Sequence, residues 1–298
     1  MKVLQVLKLL WRSILAQHEA KFTFYRRNKT LIDNKKWDYL FRAANKQGVE
    51  LLFFDSEKEL LYLKKDGITI VTNDDYGLFV EVLIDNVYML PPQLTGSFVV
   101  FDVGMNRGFA SLFFANHPDC KKVFGYELSN TVFERAVQNF ALNKTLAEKI
   151  LPYNFGLWNE NGEIDICKCE IDGYTGIASC IYEQEHLRTK LQTTKLKKIS
   201  KAKVRKASEV FEPLLAEINP SEMKVLKIDI EGAEYAVFED LYQHNLLQEF
   251  DVIIGEAHNG MEGLNKYLED FVCMNKNHLS NLLITFCYVN KRIIHENL

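Results

Sequence analysis

The chain has 298 residues and a mass of 34.6 kDa, enough for one large domain or a main domain with a smaller appendage. Apolar residues make up 47% and charged residues 26%, an ordinary globular balance that excludes a disordered or fibrous chain. The formal charge of -4 and the pI of about 6.0 set up no global field calling for nucleic acid or an anionic membrane.

In chain order, MKVLQVLKLLWRSILAQHEAKFTFYRR comes first. Lys8 and Arg12 interrupt its apolar run and no small-residue cleavage site follows, so neither a secretory signal nor a transmembrane segment is expected. Leu4, Leu7, Trp11, Ile14 and Leu15 share a helical face, which predicts a helix docked on its own domain or on a partner subunit, with weak contact with a membrane surface as the alternative, and leaves a homo-oligomer open. Helix is expected up to about residue 45. Val49 to Phe54, Leu60 to Leu63 and Ile68 to Val71 read as short strands of a small sheet, and Gly77 to Met89 as a helix. Pro91, Pro92 and Gly96 then punctuate the chain. The expected division is residues 1–93, an N-terminal α+β region acting as lid, substrate wall or dimer contact, and 94–298, the main domain.

From there strands alternate with helices. Phe98 to Val103, Lys122 to Glu127, Ile150 to Asn154, Glu163 to Cys167, Val225 to Ile230, Asp251 to Glu256 and Leu282 to Val289 read as strands. Phe109 to Asn116, Asn130 to Leu142, Ala233 to Leu247 and Met261 to Met274 read as helices. This order predicts an α/β fold with a mostly parallel central sheet covered by helices on both faces, and ligands bound beyond the carboxyl ends of its strands. Six cysteines include a lone C-x-C at Cys167 and Cys169, with Cys120, Cys180, Cys273 and Cys287 far apart in mostly apolar surroundings. Reduced, buried thiols are the preferred reading, and a cytoplasmic protein with them.

Polar residues gather where this sheet binds ligands. FDVGMNRGF, residues 101 to 109, carries Gly104 and Gly108 with Asn106 between them, a strand-to-helix turn that lets backbone approach a ligand. The central glycine of the dinucleotide fingerprint is missing, which counts against NAD. Asp102 would repel a pyrophosphate but suits a ligand carrying an amino group and neutral hydroxyls, such as S-adenosylmethionine. Glu127 ends the next strand, where an acid can accept both hydroxyls of a ribose. In VLKIDIEGAEYAVFEDL, residues 225 to 241, Lys227 and Asp229 alternate with Leu226, Ile228 and Ile230, an unusual polar pair for a buried strand, while Glu231 or Glu234 could simply cap the helix that follows. In DVIIGEAHNG, residues 251 to 260, Glu256 and His258 are placed to point into the cleft, the imidazole as general base and the carboxylate as its orienter. Asp229, Glu256 and His258 could instead hold a divalent cation that acidifies a substrate hydroxyl; the metal-free reading is preferred.

Together DVGMNRG, YELS and KIDIEGAE, with QNFALN at residues 138 to 143, resemble the FkbM-type S-adenosylmethionine-dependent methyltransferases over about residues 85 to 290. The resemblance implies a Rossmann-like class I methyltransferase fold and O-methylation of a sugar, glycan or related hydroxylated natural product. On it, Asp102, Gly104, Asn106, Gly108 and Glu127 hold the cofactor and Asn154 meets the adenine. A base such as His258 takes the hydroxyl proton, or Asp229 instead orients the hydroxyl or the methionine ammonium. Two departures from the family pattern, Met105 for a small residue and Leu128 where proline is often found, put the adenosine contacts in question. Two rival classes are a non-catalytic S-adenosylmethionine-binding or scaffold protein on the same fold and an NAD-dependent oxidoreductase. Between Leu187 and Lys206 lie nine Lys or Arg and no acid, read as a solvated loop or an attractor for an anionic substrate, with nucleic acid disfavoured because no aromatics are interleaved.

Overall fold

The computed structural model describes residues 47–55, 58, 60–72, 76–169, 178–179, 196–280 and 282–297. The expected N-terminal helix, Cys180 and the first half of the basic stretch lie outside the described residues. The chain divides into two compact units, Met1–Tyr76 and Gly77–Leu298. In the first, β1 (Val49–Asp55), β2 (Leu60–Lys65) and β3 (Ile68–Thr72) form an antiparallel sheet in that order. Asp66 and Gly67, with φ of 47° and 88°, make the tight turn joining β2 to β3, as an Asp-Gly pair does where both central residues must be left-handed. Val49, Leu61, Leu63, Ile68, Ile70 and Val71 are its buried apolar side chains among the described residues.

The second unit starts at α1 (Tyr76–Leu83), earlier than the boundary expected near residue 93, and that helix ends six residues before Met89. The connector after it belongs with this unit because the buried Tyr88 donates its hydroxyl to Asp229 Oδ2 at 2.9 Å. β4 (Phe98–Val103), α2 (Phe109–Ala115), β5 (Cys120–Tyr126), α3 (Asn130–Leu142), α4 (Lys144–Ala147) and β6 (Ile150–Tyr153) follow. After a smaller sheet come α5 (Ala207–Glu217), β11 (Met223–Ile228), α6 (Glu234–Gln243), β12 (Val252–Ala257), α7 (Glu262–Asn265), β13 (Phe271–His278), β14 (Ile284–Asn290) and α8 (Lys291–Asn297).

The main sheet has seven strands in the order β13-β14-β12-β11-β4-β5-β6. The run from β12 to β6 is parallel, while β14 pairs antiparallel with β12 and with β13. The fold is therefore the Rossmann-like α/β arrangement. Strand order reverses between β4 and β11, which makes their carboxyl ends the ligand crevice of an open sheet. Side chains alternate across the sheet. Val99, Phe101 and Val103 of β4 and Leu226 and Ile228 of β11 pack with Phe211 of α5 and Val237, Phe238 and Leu241 of α6. Phe101 is the hub, with ring centroids 4.7 Å from Phe211 and 5.3 Å from Phe250. The intervening Asp102 and Lys227 necessarily face the other side, toward α2.

Three expectations are corrected. Met261 to Met274 is not one helix: it is the single turn α7 followed by β13, an edge strand whose burial is confined to Phe271. The second half of the basic stretch is not a loop but β10 (Leu196–Lys206), in a sheet ordered β7 (Gly156–Trp158), β10, β8 (Gly162–Cys169), β9 (Ala178–Ser179). Ala202 and Val204 turn inward, and Lys201 and Lys203 stand opposite Asp165 and Glu163 of β8, so acids offset the positive charge there. Cys120 and Cys287 are buried free thiols, as expected, but Cys273 is exposed on the edge strand β13. Among the described residues no helix is long and apolar enough to cross a membrane.

Candidate active site

The glycine loop after β4 is fixed by its neighbours. Gly104 and Met105 donate their amides to the Tyr126 carbonyl at 3.1 and 2.8 Å. Gly104 has φ 81°, and a Cβ there would fall 1.9 Å from the Asp229 carbonyl oxygen, so the residue is required by the close passage of two chains. Gly108 has φ 78°, and a Cβ would meet the Phe140 ring at 2.5 Å. Met105 is buried, and its thioether fills the space beside Gly125, where a Cβ would come 2.4 Å from Sδ. It points beneath the loop and is absent from the cavity wall, so the departure at 105 leaves the ligand side untouched. Asn139, of QNFALN, donates Nδ2 to the Arg107 carbonyl at 2.9 Å, and Asn143 donates to the Asn139 carbonyl at 2.8 Å. That stretch braces the loop.

A cavity opens at the carboxyl ends of β4, β5 and β11. Gly104, Asn106, Glu127, Asp229 and Glu231 line it together with apolar Leu128, Val132, Leu157, Trp158 and Ile164. Glu127 Oε2 accepts the Asn106 amide at 2.9 Å and Oε1 the Ser129 amide at 2.8 Å. Burial pushes its carboxyl up to about 7, against the pull of those two amides. Tyr126 lines the same cavity, and its buried hydroxyl finds no partner among the described residues. An acid held by backbone, an orphaned hydroxyl and apolar walls suit a ligand with a ribose and a flat ring. Asn154 sits elsewhere: it donates to the Glu127 carbonyl at 2.9 Å and does not line the cavity, so its role is to hold Glu127.

Asp102 also differs from its expected place. It is fully buried behind the loop, accepting from Ser111 Oγ at 2.6 Å and pairing with Lys227 Nζ at 3.1 Å, its register partner on β11. A carboxylate so enclosed does not meet the ligand's amine directly. Lys227, buried as well, donates to the Gly104 carbonyl at 2.7 Å and lies 4.0 Å from Asp229 Oδ2. Burial works to lower its pKa, but Asp102 and Asp229 outweigh it and raise the pKa above the usual lysine value. Lys227 is the residue that sequence reasoning noted only as unusual, and its charge inside a strand was the signal.

KIDIEGAE is a structural sentence read residue by residue. Lys227 holds the loop, and Asp229 reaches the cavity. Glu231 and Gly232 take the left-handed turn, with φ of 54° and 101°. Glu234 opens α6 and reaches back with Oε1 to the Ile230 amide at 2.9 Å. The same Oε1 lies 2.9 Å from His258 Nδ1. His258 Nε2 stands 3.5 Å from Glu231 and 3.8 Å from both Asp229 and Glu256. Burial alone would lower the imidazole pKa, but Glu234, Glu231 and Asp229 push it up to about 10. The surrounding carboxylates therefore favour the protonated ring over the neutral form that a general base needs. Burial, together with Asp229 and Glu81, raises the Glu256 pKa well above the carboxylate range, which favours its neutral form over the orienting carboxylate expected. The residues missed by sequence reasoning are Tyr88, Glu81 and the role of Glu234, all brought in from other elements.

A family model described as the methyltransferase FkbM domain matches residues 102–278, more than half of the chain. No curated protein matches. Among solved structures, a methyltransferase FkbM from Methylobacillus flagellatus KT is 16% identical with a TM-score of 0.43, covering 70% of this chain and 47% of its own. A protein of the NADB-Rossmann superfamily from Streptococcus agalactiae is 12% identical with a TM-score of 0.36, covering 68% of this chain and 69% of its own. M. capricolum TrmK, solved with S-adenosylhomocysteine, is 10% identical with a TM-score of 0.36, covering 66% and 64%. The chain thus spans less than two thirds of the length of the Methylobacillus and M. capricolum proteins. Likenesses this weak add nothing to the assignment, which rests on the family match.

Proposed function

The chain belongs to the FkbM family of S-adenosylmethionine-dependent methyltransferases, and from that premise we propose that it methylates a hydroxyl of a sugar, glycan or related natural product. The observation that carries this reading is the single cavity joining Glu127 to Asp229. Glu127, its two oxygens oriented by the Asn106 and Ser129 amides, accepts the ribose hydroxyls. Leu128, Val132, Leu157 and Trp158 enclose the adenine and exclude water. Gly104 and Asn106 present backbone to the amino-acid end. S-adenosylmethionine supplies an electrophilic methyl on a sulfonium.

On the acceptor side Asp229 is the group with both access and charge. Its side chain is 23% exposed, and Tyr88 and Lys227 hold its Oδ2, which leaves Oδ1 directed toward His258. Asp229 orients the acceptor hydroxyl and takes its proton as the ether forms, with positioning supplying much of the rate. Acids crowd this side, and on β10 Lys201 and Lys203 face acids, so a neutral or cationic hydroxyl compound suits the site better than the anionic one first considered. Buried free thiols at Cys120 and Cys287 support a reducing, cytoplasmic setting.

The test is transfer of labelled methyl from S-adenosylmethionine onto a panel of glycans and sugar nucleotides. The wild type should label an acceptor hydroxyl, and Asp229→Asn should keep S-adenosylhomocysteine binding while losing turnover by about 100-fold or more. Binding of NAD in place of S-adenosylhomocysteine would sink the reading.

A further inference from the structure

We propose that Asp229, Glu234 and His258 form a binding site for a divalent cation beside the cofactor cavity. The three come from the end of β11, the start of α6 and the turn after β12. Each offers one donor atom, and the three atoms lie within 4.8 Å of one another. This set differs from the one read in the sequence, with Glu234 in place of Glu256.

A second observation points to a ligand independently of the acids' number. Glu234 is 0% exposed, and its Oε1 is engaged by the Ile230 amide and by His258 Nδ1. Its Oε2 is buried and has no hydrogen-bond partner among the described residues. A buried carboxylate oxygen left without a donor is costly unless something positive answers it. Charge in the surroundings runs the same way. Glu231 and Glu256 come within 3.5 and 3.8 Å of the His258 ring, and Glu81 lies against Glu256. Lys227 is closer to Asp102, at 3.1 Å, than to Asp229, at 4.0 Å. Even with Glu256 neutral, Asp229, Glu231 and Glu234 outnumber the one imidazolium among them, in a region with little water to screen them.

With the ion taking the place of the ring proton of His258, one imidazole with carboxylates suits manganese or a similar first-row divalent ion, and no thiolate is present among the three to select a softer one. Asp229 also lines the cavity, so the cation is within reach of a substrate bound there. Its role rests on the methyl-transfer reading: when the ion is bound, Asp229 serves as its ligand, and the acceptor hydroxyl, polarised by the ion, passes its proton to water instead as the oxygen–carbon bond forms and the carbon–sulfur bond breaks, releasing S-adenosylhomocysteine. The site itself does not depend on that reading.

The experiment titrates the full chain with Mn2+, followed by electron paramagnetic resonance and calorimetry, with S-adenosylhomocysteine binding measured in parallel. The expected result is one saturable ion per chain, with affinity lowered about 10- to 100-fold or more in Asp229→Asn and in Glu234→Gln and unchanged in His117→Ala, an exposed histidine far from the cluster. Because Glu234→Gln removes a buried contact and can disturb folding, Asp229→Asn decides the matter. No saturable binding by the wild type, or undiminished affinity in Asp229→Asn, overturns the site. Mn2+ binding without S-adenosylhomocysteine binding would retain the site and refute the methyl-transfer reading; the reverse would do the opposite.

Discussion

Replacing Lys227 by methionine isolates the interaction on which the glycine loop depends. In the native protein Asp102 is fully buried, with Lys227 Nζ at 3.1 Å and Ser111 Oγ at 2.6 Å as its partners. Removing the ammonium leaves a carboxylate inside the sheet with only a hydroxyl to answer it, a change that costs about 3–5 kcal/mol. The Gly104 carbonyl loses its 2.7 Å donor at the same time, so the loop slackens on the ligand side. For a domain of about 150–250 residues, where each kcal/mol moves Tm by about 2–4 °C, the melting temperature should fall by about 6–20 °C. Adding Asp102→Asn to the same chain removes the stranded charge and keeps the Ser111 contact. The double variant should then recover most of the loss, to within about 1–2 kcal/mol of the wild type. Urea denaturation of the wild type, both single variants and the double variant closes the cycle. A loss below about 1 kcal/mol in Lys227→Met, or a double variant as unstable as the sum of the singles, would refute the reasoning.

The cofactor end and the loop yield two further outcomes. Because burial raises the Glu127 carboxyl to about 7, lowering the pH through 7 should protonate it and weaken S-adenosylhomocysteine binding. In Glu127→Gln the pH dependence should vanish and affinity should be low throughout; calorimetry between about pH 5.5 and 8.5 checks both. The linked stability has the opposite sign. A carboxyl whose folded pKa exceeds its unfolded value contributes stability below the ordinary carboxylate pKa of 4.5, and that is lost as pH rises toward about 7. Gly104→Ala should destabilise far more than Gly108→Ala in urea denaturation. The added carbon meets backbone, the Asp229 carbonyl at 1.9 Å, in the first case and the edge of the Phe140 ring at 2.5 Å in the second.

How much of this was legible beforehand depended on what each residue had to do. The parallel strands could be read because β-branched runs buried on both faces have few alternatives, and the acids at their carboxyl ends marked the crevice. β13 was not legible. Leu264, Tyr267, Leu268 and Phe271 have helical spacing, yet after one turn the chain runs out as an edge strand with only Phe271 inside. α5 was missed because Pro213 inside it reads as a breaker. Asp102 was placed at the right strand end but on the wrong side: no pattern in FDVGMNRGF tells which face of β4 its carboxylate takes, and Lys227 that decides it lies on another strand. His258 was found but its charge was not, since Glu231 and Glu234 come to it only through the left-handed turn before α6.

Met105 and Gly125 behave as a single packed unit split between the loop after β4 and strand β5. The thioether occupies the volume that a side chain at 125 would need, and neither side chain lines the cavity. Bulk can therefore be exchanged between these positions, a small residue at 105 permitting a larger one at 125, without altering what a bound nucleoside meets. The face of the loop that the cofactor reads is backbone and glycine, while the variable chemistry lies underneath. A change of residue at 105 is thus a poor guide to a change of ligand.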